Sequence, residues 1–316
     1  MGLGKRIDPH AESAASDSGK AAAEKASDTF VPEEPKYTFD DMILPHHVRE
    51  QILNAADYAQ NSKIVFEDWG LEKTHQYSKR IGINLYGEPG TGKTMAAHAI
   101  ANHLGRKILI VNYADVESKY VGETPKNIRK VFEVGKETGS IIFFDEADAI
   151  LSRRVTNMNN ATDTSVNQTR SVMLMAMNEY QDFIIFATNF ISNFDPAFMR
   201  RISIHVRFDL PDEECRRQLW EKYIPAALPQ SLDIADIAAR YDGMTGSDIS
   251  NAVLNAAFRA ARKKERSIPS EYFYEAVEDI LRSKEANQER EPKTTVRPVS
   301  EEYVKEQLSK GKMENA

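Results

Sequence analysis

The chain has 316 residues, of which 41% are hydrophobic and 28% are charged, a mixture typical of a core-forming protein rather than a disordered one. Its 41 Lys and Arg residues against 48 Asp and Glu residues give a net charge of −7, which argues against a protein that coats nucleic acid. A single cysteine, Cys215, excludes an internal disulfide, and the apolar runs are too short to span a bilayer. Because the N-terminus lacks the apolar run of a secretory signal, we expect a cytoplasmic protein that does not bind membranes.

The residue pattern divides the chain into four parts. Between Asp8 and Thr29 there is no Val, Ile, Leu, Met or aromatic residue, so this stretch is predicted to belong to a flexible arm. A second apolar gap runs from Ser283 to Thr295, and the apolar residues that follow it are compatible with a docked helix. The predicted parts are a flexible arm (1–36), a large α/β domain (37–211), a small helical domain (212–283) and a C-terminal tail (284–316).

Short apolar runs alternate with helical patterns in the large domain. The runs predict buried strands at Arg80–Tyr86, Lys107–Asn112, Ser140–Phe144, Asp182–Thr188 and Ser203–Phe208. Helical stretches such as Met95–Leu104 and Thr124–Thr138 separate several of them, which predicts a parallel sheet with helices on both faces. Beyond Pro211 the pattern is helical, with one apolar stripe formed by Ile249, Val253, Ala256 and Ala260. The predicted fold class is α/β, a five-stranded parallel sheet in an αβα sandwich, followed by a small all-helical domain.

The first motif that carries chemistry follows the first predicted strand. The run from Gly87 to Thr94 satisfies G-x-x-x-x-G-K-[ST] and opens a helix at Met95. Glycines let consecutive backbone N–H groups face phosphate oxygens, and the helix N-terminus adds partial positive charge. Lys93 is expected to reach the β- and γ-phosphates, and the Thr94 hydroxyl to bind Mg²⁺. The predicted nucleotide-binding residues are Gly87, Glu88, Pro89, Gly90, Thr91, Gly92, Lys93, Thr94 and Met95.

A pair of carboxylates follows the third predicted strand. Asp145 and Glu146 end the apolar run that begins at Ile141, and so lie at the carboxyl edge of the sheet, where open α/β sheets bind ligands. Asp145 is predicted to hold Mg²⁺, and Glu146 to orient and deprotonate the water that attacks the γ-phosphate. An acidic strand end that only faces solvent is the simpler alternative, but it leaves the nearby phosphate loop unexplained.

The four residues Asp145 to Asp148 also spell the DEAD motif of helicases. That family needs a second domain of comparable size after the motif. The residues after Asp148 contain two small strand candidates and then helices, so the helicase interpretation is disfavoured.

From about Tyr37 to Arg282 the chain resembles the AAA family of ATPases. The resemblance implies a P-loop NTPase fold with a helical lid domain, ATP and Mg²⁺ as ligands, and ATP hydrolysis as the reaction. Ala187-Thr188-Asn189, at the end of the fourth predicted strand, is similar to the family's sensor-1 strand. Asn189 would then contact the γ-phosphate or the attacking water.

The segment from Phe194 to Arg201 resembles the arginine-finger segment of the same family. By that resemblance, Arg200 and Arg201 reach the ATP of the neighbouring subunit and stabilise charge in the transition state. A solvated basic turn is the simpler interpretation of two adjacent arginines. Their position after Asp195-Pro196-Ala197 favours the finger.

Lys119, Tyr120 and Val121 resemble the first pore loop of the family. There an aromatic residue lines a central channel and grips an extended polypeptide, because an exposed ring packs on almost any side chain. The polar run from Ser152 to Gln168 occupies the place of a second channel-facing loop, and an insertion without regular structure is an equal alternative.

Gly243 to Ile249 resembles the lid segment that approaches adenine and ribose. Gly246 and Ser247 are its predicted nucleotide-binding residues, since Gly246 permits close backbone approach. Thr245 and Asp248 also fit a capping box, which requires no nucleotide. The segment Tyr37–Ile43 occupies the adenine-bordering position but departs from the family's usual sequence, so it leaves the adenine contacts open.

These resemblances together predict an Mg²⁺-ATP-dependent motor, a homo-hexameric ring that remodels, unfolds or disassembles a client protein. Shared ATP sites make such a ring a requirement of the arginine-finger assignment. The client could bind directly or through an adaptor such as a HORMA-domain protein. Two other classes stay open: a DNA-associated loader or helicase-like ATPase, which the acidic composition disfavours, and an ATP-switched scaffold, which Glu146, Asn189 and Arg200 disfavour.

Overall fold

A computed structural model of the chain describes residues 30–74, 81–117, 123–151, 161–189 and 194–288. The strands are β1 (Ile81–Gly87), β2 (Ile108–Asn112), β3 (Ile141–Asp145), β4 (Phe183–Thr188) and β5 (Ile204–Phe208). The helices of the large domain are α1 (His46–Lys63), α2 (Lys93–His103), α3 (Tyr113–Val116), α4 (Glu123–Thr138), α5 (Asp148–Leu151), α6 (Ala161–Glu179) and α7 (Pro196–Met199). The helices that follow are α8 (Glu213–Tyr223), α9 (Ile234–Arg240), α10 (Gly246–Lys263) and α11 (Ser270–Gln288).

The five strands form one parallel sheet in the order β2-β3-β4-β1-β5. Strand β1 lies inside the sheet because β4 and β5 pair with it on either side, with Ile83 opposite Ile185 and Ile204. Since all strands run the same way, the carboxyl ends of β1, β3 and β4 meet at one edge. The predicted α/β class with a five-stranded parallel sheet is confirmed.

Apolar side chains fill both faces of the sheet, as expected for parallel strands covered by helices. Successive residues point to opposite faces, so Phe143 packs with β1 and with α1 and α2, whereas Phe144 packs with α4 and α6. Both rings are fully buried. Packing on both faces holds the sheet in place, and with it the carboxyl ends of β1, β3 and β4, which polar residues follow.

The helices α8 to α11 form the second, smaller unit around its own core. Trp220 and Phe273 lie at its centre with their ring centroids 6.3 Å apart. The predicted apolar stripe is buried at all four positions, Ile249, Val253, Ala256 and Ala260. Among the described helices of the whole chain, none has the length and apolarity that a membrane crossing requires.

The boundary of the predicted C-terminal tail differs from the structure. Helix α11 continues to Gln288, so residues 284–288 are helical rather than part of a tail. The sequence gap in apolar residues hid this extension, because the end of α11 is held by polar contacts of Lys284. Residues 289–316, with the predicted docked helix, lie outside the described part of the chain.

The predicted flexible arm ends earlier than residue 36, because Phe30 and Glu33 make contacts with the large domain. Phe30 is 5% exposed and belongs to the core between α4 and α6. Glu33 pairs with Ile108 on the edge strand β2, with N–H to O distances of 2.8 and 2.9 Å in the two directions. An unpaired strand edge and one aromatic ring therefore order this segment. Residues 1–29 lie outside the described part.

Candidate functional site

The phosphate loop joins β1 to α2, as the motif predicts. Gly87 has φ 149° and Gly92 has φ 101°, both in the region that glycine tolerates best. An added Cβ at Gly87 would overlap the Phe208 carbonyl oxygen of the neighbouring strand. The loop therefore needs glycine at this position for close packing as well as for its backbone angle.

Lys93 is buried at the first position of α2, with 8% of its surface exposed. Its Nζ donates hydrogen bonds of 2.8 Å to the carbonyl oxygens of Gly87 and Glu88. Burial lowers the pKa of Lys93, and the nearby charges of Asp145, Asp148 and Glu88 partly offset this. The ammonium group thus lies inside the loop on neutral acceptors, which phosphate oxygens could replace with a gain in charge pairing.

Thr94 and Asp145 meet at the carboxyl edge although they are 51 residues apart. The Thr94 hydroxyl donates a 2.9 Å hydrogen bond to Asp145 Oδ2, and Asp145 Oδ1 accepts one of 2.9 Å from the Glu146 N–H. A hydroxyl and a carboxylate beside a phosphate loop are the few hard oxygen ligands that Mg²⁺ takes from a protein. The residues therefore fit Mg²⁺ bound together with a triphosphate.

Glu146 stands where the chain turns sharply after β3. It has φ +50°, one of only two positive values at non-glycine residues in the described chain, and its side chain is exposed. The next residue, Ala147, is buried and donates a 2.9 Å hydrogen bond to the Ala187 carbonyl of β4. The left-handed backbone therefore leaves the carboxylate of Glu146 pointing away from the core, at the open edge of the sheet.

Asp148 connects this turn to the end of β4. Its carboxylate accepts hydrogen bonds from the Thr188 hydroxyl and, at 3.2 Å, from the Asn189 N–H. Thr188 is 1% exposed. Asp148 was predicted only as the last letter of a helicase-like string, and its spacing of three from Asp145, at the start of α5, is the signal that could have found it.

The lid contacts the phosphate loop through the start of α10. The Ser247 N–H donates a 3.4 Å hydrogen bond to the Gly90 carbonyl. Gly90 has φ 79°, and a Cβ there would lie 2.8 Å from Ser247 Cβ and Oγ. The capping box of Thr245 and Asp248 is formed, with both side chains in the predicted hydrogen bonds. The structure therefore brings Gly246 and Ser247 beside the loop.

A cavity of about 350 Å³ lies between the phosphate loop and the lid. One wall comes from the segment after Tyr37 that was predicted to border adenine, of which Met42 and Ile43 line the cavity. Another wall comes from α8, which contributes Leu219 and Tyr223. These two residues were not predicted, because in the sequence they belong to an ordinary amphipathic helix pattern. The lining residues from the loop and the lid are Gly90, Thr91, Gly92, Thr94, Met95, Gly246 and Ser247.

Comparison with known proteins adds to this geometry. A family model described as the ATPase family associated with various cellular activities (AAA) matches residues 83–210, and an AAA+ lid domain model matches residues 231–275. The Cell division protein C of Sulfolobus acidocaldarius is 31% identical over 289 residues, which cover 86% of this chain and 73% of that protein. The chain belongs to the AAA family of ATPases.

Two other relatives are longer than the region they share with this AAA ATPase. The ATP-dependent zinc metalloprotease FtsH 2 of Sphaerobacter thermophilus is 32% identical over 260 residues, which are 79% of this chain and 38% of that protein. The proteasome-activating nucleotidase of Methanopyrus kandleri is 31% identical over 264 residues, which are 81% of this chain and 59% of that protein. The predicted family of nucleotide-binding ATPases and the P-loop fold with its lid domain are confirmed.

The two predicted finger arginines of this AAA ATPase have different surroundings. Arg201 donates to Asn178 Oδ1 at 2.9 Å from Nε and to the Ala197 carbonyl at 2.7 Å from Nη1. Arg200 is exposed, and its side chain makes no hydrogen bond or ion pair with another described residue. Asp195 caps the short helix α7 before them by accepting from the Ala197 N–H at 2.8 Å.

The predicted channel segments fall largely outside the described residues. Lys119, Tyr120 and Val121 belong to the gap between residues 117 and 123. Of the polar run 152–168, the first nine residues also lie in a gap, and from Ala161 the chain is helical in α6. The second half of that run is therefore part of a helix rather than a loop.

Proposed function

We propose that this AAA ATPase hydrolyses Mg²⁺-ATP in a homo-hexameric ring and uses the energy to remodel a client protein. The observation that carries the proposal is the contact of 2.9 Å between Thr94 and Asp145. It joins the phosphate loop to the acidic strand end, with Lys93 on one side and Glu146 on the other. These residue types at one sheet edge are what phosphoryl transfer to water requires.

In the proposed reaction, Lys93 exchanges its backbone acceptors for the β- and γ-phosphate oxygens. Thr94 and Asp145 would hold Mg²⁺, which would neutralise charge on the phosphates. Glu146 accepts a proton from water as the water oxygen bonds to the γ-phosphorus and the bond from that phosphorus to the bridging oxygen breaks. Asn189, positioned through its backbone bond to Asp148, orients the water.

The arginine contacts support a ring. Arg200 is exposed and without a side-chain partner among the described residues, so its guanidinium is available to a neighbouring subunit. Arg201 is bonded twice within its own chain. We therefore assign Arg200 as the residue that completes the neighbour's site, and assign Arg201 to holding α7 in place beneath it.

The remodelling part of the proposal is supported by relatives whose names include a metalloprotease and a proteasome-activating nucleotidase. Both names refer to proteins that act on other proteins or activate a machine that does. We propose that Lys119, Tyr120 and Val121 grip the client, since an exposed aromatic can pack on side chains of any sequence.

The first experiment uses Glu146→Gln to trap the ATP-bound state. We expect the variant to bind ATP with normal affinity and to hydrolyse it about a hundredfold more slowly, because a glutamine cannot accept the proton. A pull-down with the trapped ring should then retain the client or its adaptor, a HORMA-domain protein among the candidates. Lys93→Ala is the matched control: it should not bind ATP, and so it should retain neither the client nor the adaptor. Hydrolysis by Glu146→Gln at the wild-type rate would refute the assignment of the base.

The second experiment tests the shared site by mixing two inactive variants. Arg200→Ala keeps its own Glu146, and Glu146→Gln keeps an intact Arg200 to donate. We expect each to be nearly inactive alone and the mixture to regain part of the ATPase activity, as mixed rings place an intact arginine beside an intact base. Arg201→Ala should instead lower the stability of the monomer. Full-speed hydrolysis by a strict monomer would contradict the ring.

A further inference from the structure

Lys284 links three parts of the molecule that the sequence keeps far apart. It lies near the end of α11, in the stretch predicted to be a tail. Its Nζ donates to Asp248 Oδ2 at 2.8 Å and to the Gly243 carbonyl at 3.0 Å, and lies 3.9 Å from Glu88 Oε2. The side chain is 30% exposed. The ammonium group at the end of α11 therefore contacts both the start of α10 in the lid and the phosphate loop.

The lid end of this link is the start of α10. Asp248 Oδ2 accepts from the Thr245 N–H at 2.9 Å and the Thr245 hydroxyl oxygen accepts from the Asp248 N–H at 3.2 Å, which together form the capping box. The Thr245 hydroxyl also donates to Asp248 Oδ2 at 2.8 Å. The same oxygen is the acceptor of Lys284. Because the adjacent Ser247 donates to the Gly90 carbonyl, the contact with Lys284 holds the turn of the lid that touches the phosphate loop.

The other end of the link is a carboxylate inside the phosphate loop. Glu88 lies in a loop whose backbone and Lys93 favour phosphate, so its negative charge opposes the charge of a bound triphosphate. Among the described residues, Lys284 is the only cation that pairs with the Glu88 carboxylate. Lys93 donates instead to the Glu88 backbone carbonyl. The Glu88 carboxylate thus forms its ion pair with the lid, although the charge of Glu88 also acts on Lys93 of the loop.

We propose that Lys284 is a positioning residue of the nucleotide site, which acts through its ion pair with Glu88: the pair balances the charge of that carboxylate and so holds the start of α10 against the phosphate loop. The inference rests on the proposed binding of ATP by this loop. It extends that function by making nucleotide affinity depend on α11, a helix that does not line the cavity between loop and lid. The lid then contacts the loop through the ion pair of Lys284 and Glu88 as well as through the packing of Ser247 at Gly90.

The test compares Lys284→Met with Lys284→Arg and with Arg282→Met, a matched control. Arg282 lies on the same helix and is largely exposed, and among the residues that the structure describes it pairs only with Asp279 of α11. We expect Lys284→Met to weaken the binding of a fluorescent ADP analogue about fivefold, which is the upper end of the effect that exposed ion pairs produce. Lys284→Arg should restore most of the affinity, and Arg282→Met should bind as the wild type does.

A double-mutant cycle with Glu88→Gln separates this role from a merely structural one in the lid. If Lys284 acts on the loop through Glu88, the loss from Lys284→Met should shrink to less than about twofold in the Glu88→Gln background. An equal loss in both backgrounds, or wild-type affinity of Lys284→Met, would overturn the proposal. Should Lys284→Met fail to fold by circular dichroism, Lys284→Gln keeps a hydrogen-bond donor without the charge, and the same cycle applies.

The outcome for Lys93→Ala separates this inference from the proposed function. If Lys93→Ala loses nucleotide binding while Lys284→Met and Arg282→Met both bind normally, the ATP site stands and the role of Lys284 is wrong. If Lys93→Ala binds nucleotide as tightly as the wild type, the proposed ATP site itself is wrong.

Discussion

Replacement of Asp148 by alanine tests the link between the turn that holds Glu146 and the end of β4. The change removes the acceptor of the buried Thr188 hydroxyl and of the Asn189 N–H. Hydrogen bonds to a charged group contribute about 1.5–3 kcal/mol each, and two that share one carboxylate are not additive. We therefore expect the free energy of unfolding to fall by about 2–3 kcal/mol. The turnover number should also fall about tenfold, because Asn189 loses its fixed position.

The assays are urea denaturation and steady-state ATP hydrolysis on the same preparations. Thr188→Val removes the hydroxyl but leaves the bond from Asn189 to Asp148, so it should lower stability and leave most of the turnover number intact. Asp148→Asn keeps one carbonyl acceptor, so its stability and turnover number should lie between those of Asp148→Ala and the wild type. The reasoning fails if Asp148→Ala is as stable as the wild type. It also fails if Asp148→Ala changes KM and leaves the turnover number at the wild-type value.

Three further predictions concern packing and pH. Phe30→Ala should lower the free energy of unfolding by about 3 kcal/mol in a denaturant titration, since the ring is 5% exposed in the core, whereas a wild-type midpoint would mean that the segment is not packed. Gly90→Ala should weaken nucleotide binding in a fluorescence titration by displacing Ser247 from the loop; unchanged affinity would refute that contact. Burial lowers the pKa of His98 below its ordinary 6.5, so the unfolded chain binds the proton first and stability should fall as pH drops below 6.5. His98→Asn should reduce that slope in urea titrations, and an unchanged slope would mean that other groups cause it.

The fold class and the phosphate loop could be predicted because they depend on neighbouring residues. Alternating apolar runs and helical patterns gave all five strands to within one residue of their observed starts. The loop from Gly87 to Thr94 and the pair Asp145-Glu146 are continuous in sequence, so their chemistry is visible before any folding. The capping box of Thr245 and Asp248 is a local pattern for the same reason.

The extent of the two end segments could not be predicted from composition. Phe30 is a single ring after a long stretch without apolar residues, and its burial depends on the unpaired edge of β2 far along the chain. Lys284 sits in a polar stretch that resembles a tail, and only its distant acceptors make it structural. The composition of a sequence window therefore cannot predict the burial of Phe30 or the hydrogen bonds of Lys284, because both depend on residues far away in the sequence.

The amino-acid sequence by itself determined which residues could bind phosphate, hold a metal ion and activate water, because those roles depend on chemical type and on short spacing. Only the tertiary structure decided which of them meet. The order β2-β3-β4-β1-β5 places the ends of β1, β3 and β4 together, and so brings Thr94 to Asp145 and Asp148 to Thr188. It also separated Arg200 from Arg201, which are alike in sequence but differ in the partners that folding gives them. Contacts between segments 40 or more residues apart follow from strand order and helix packing, which no local pattern specifies.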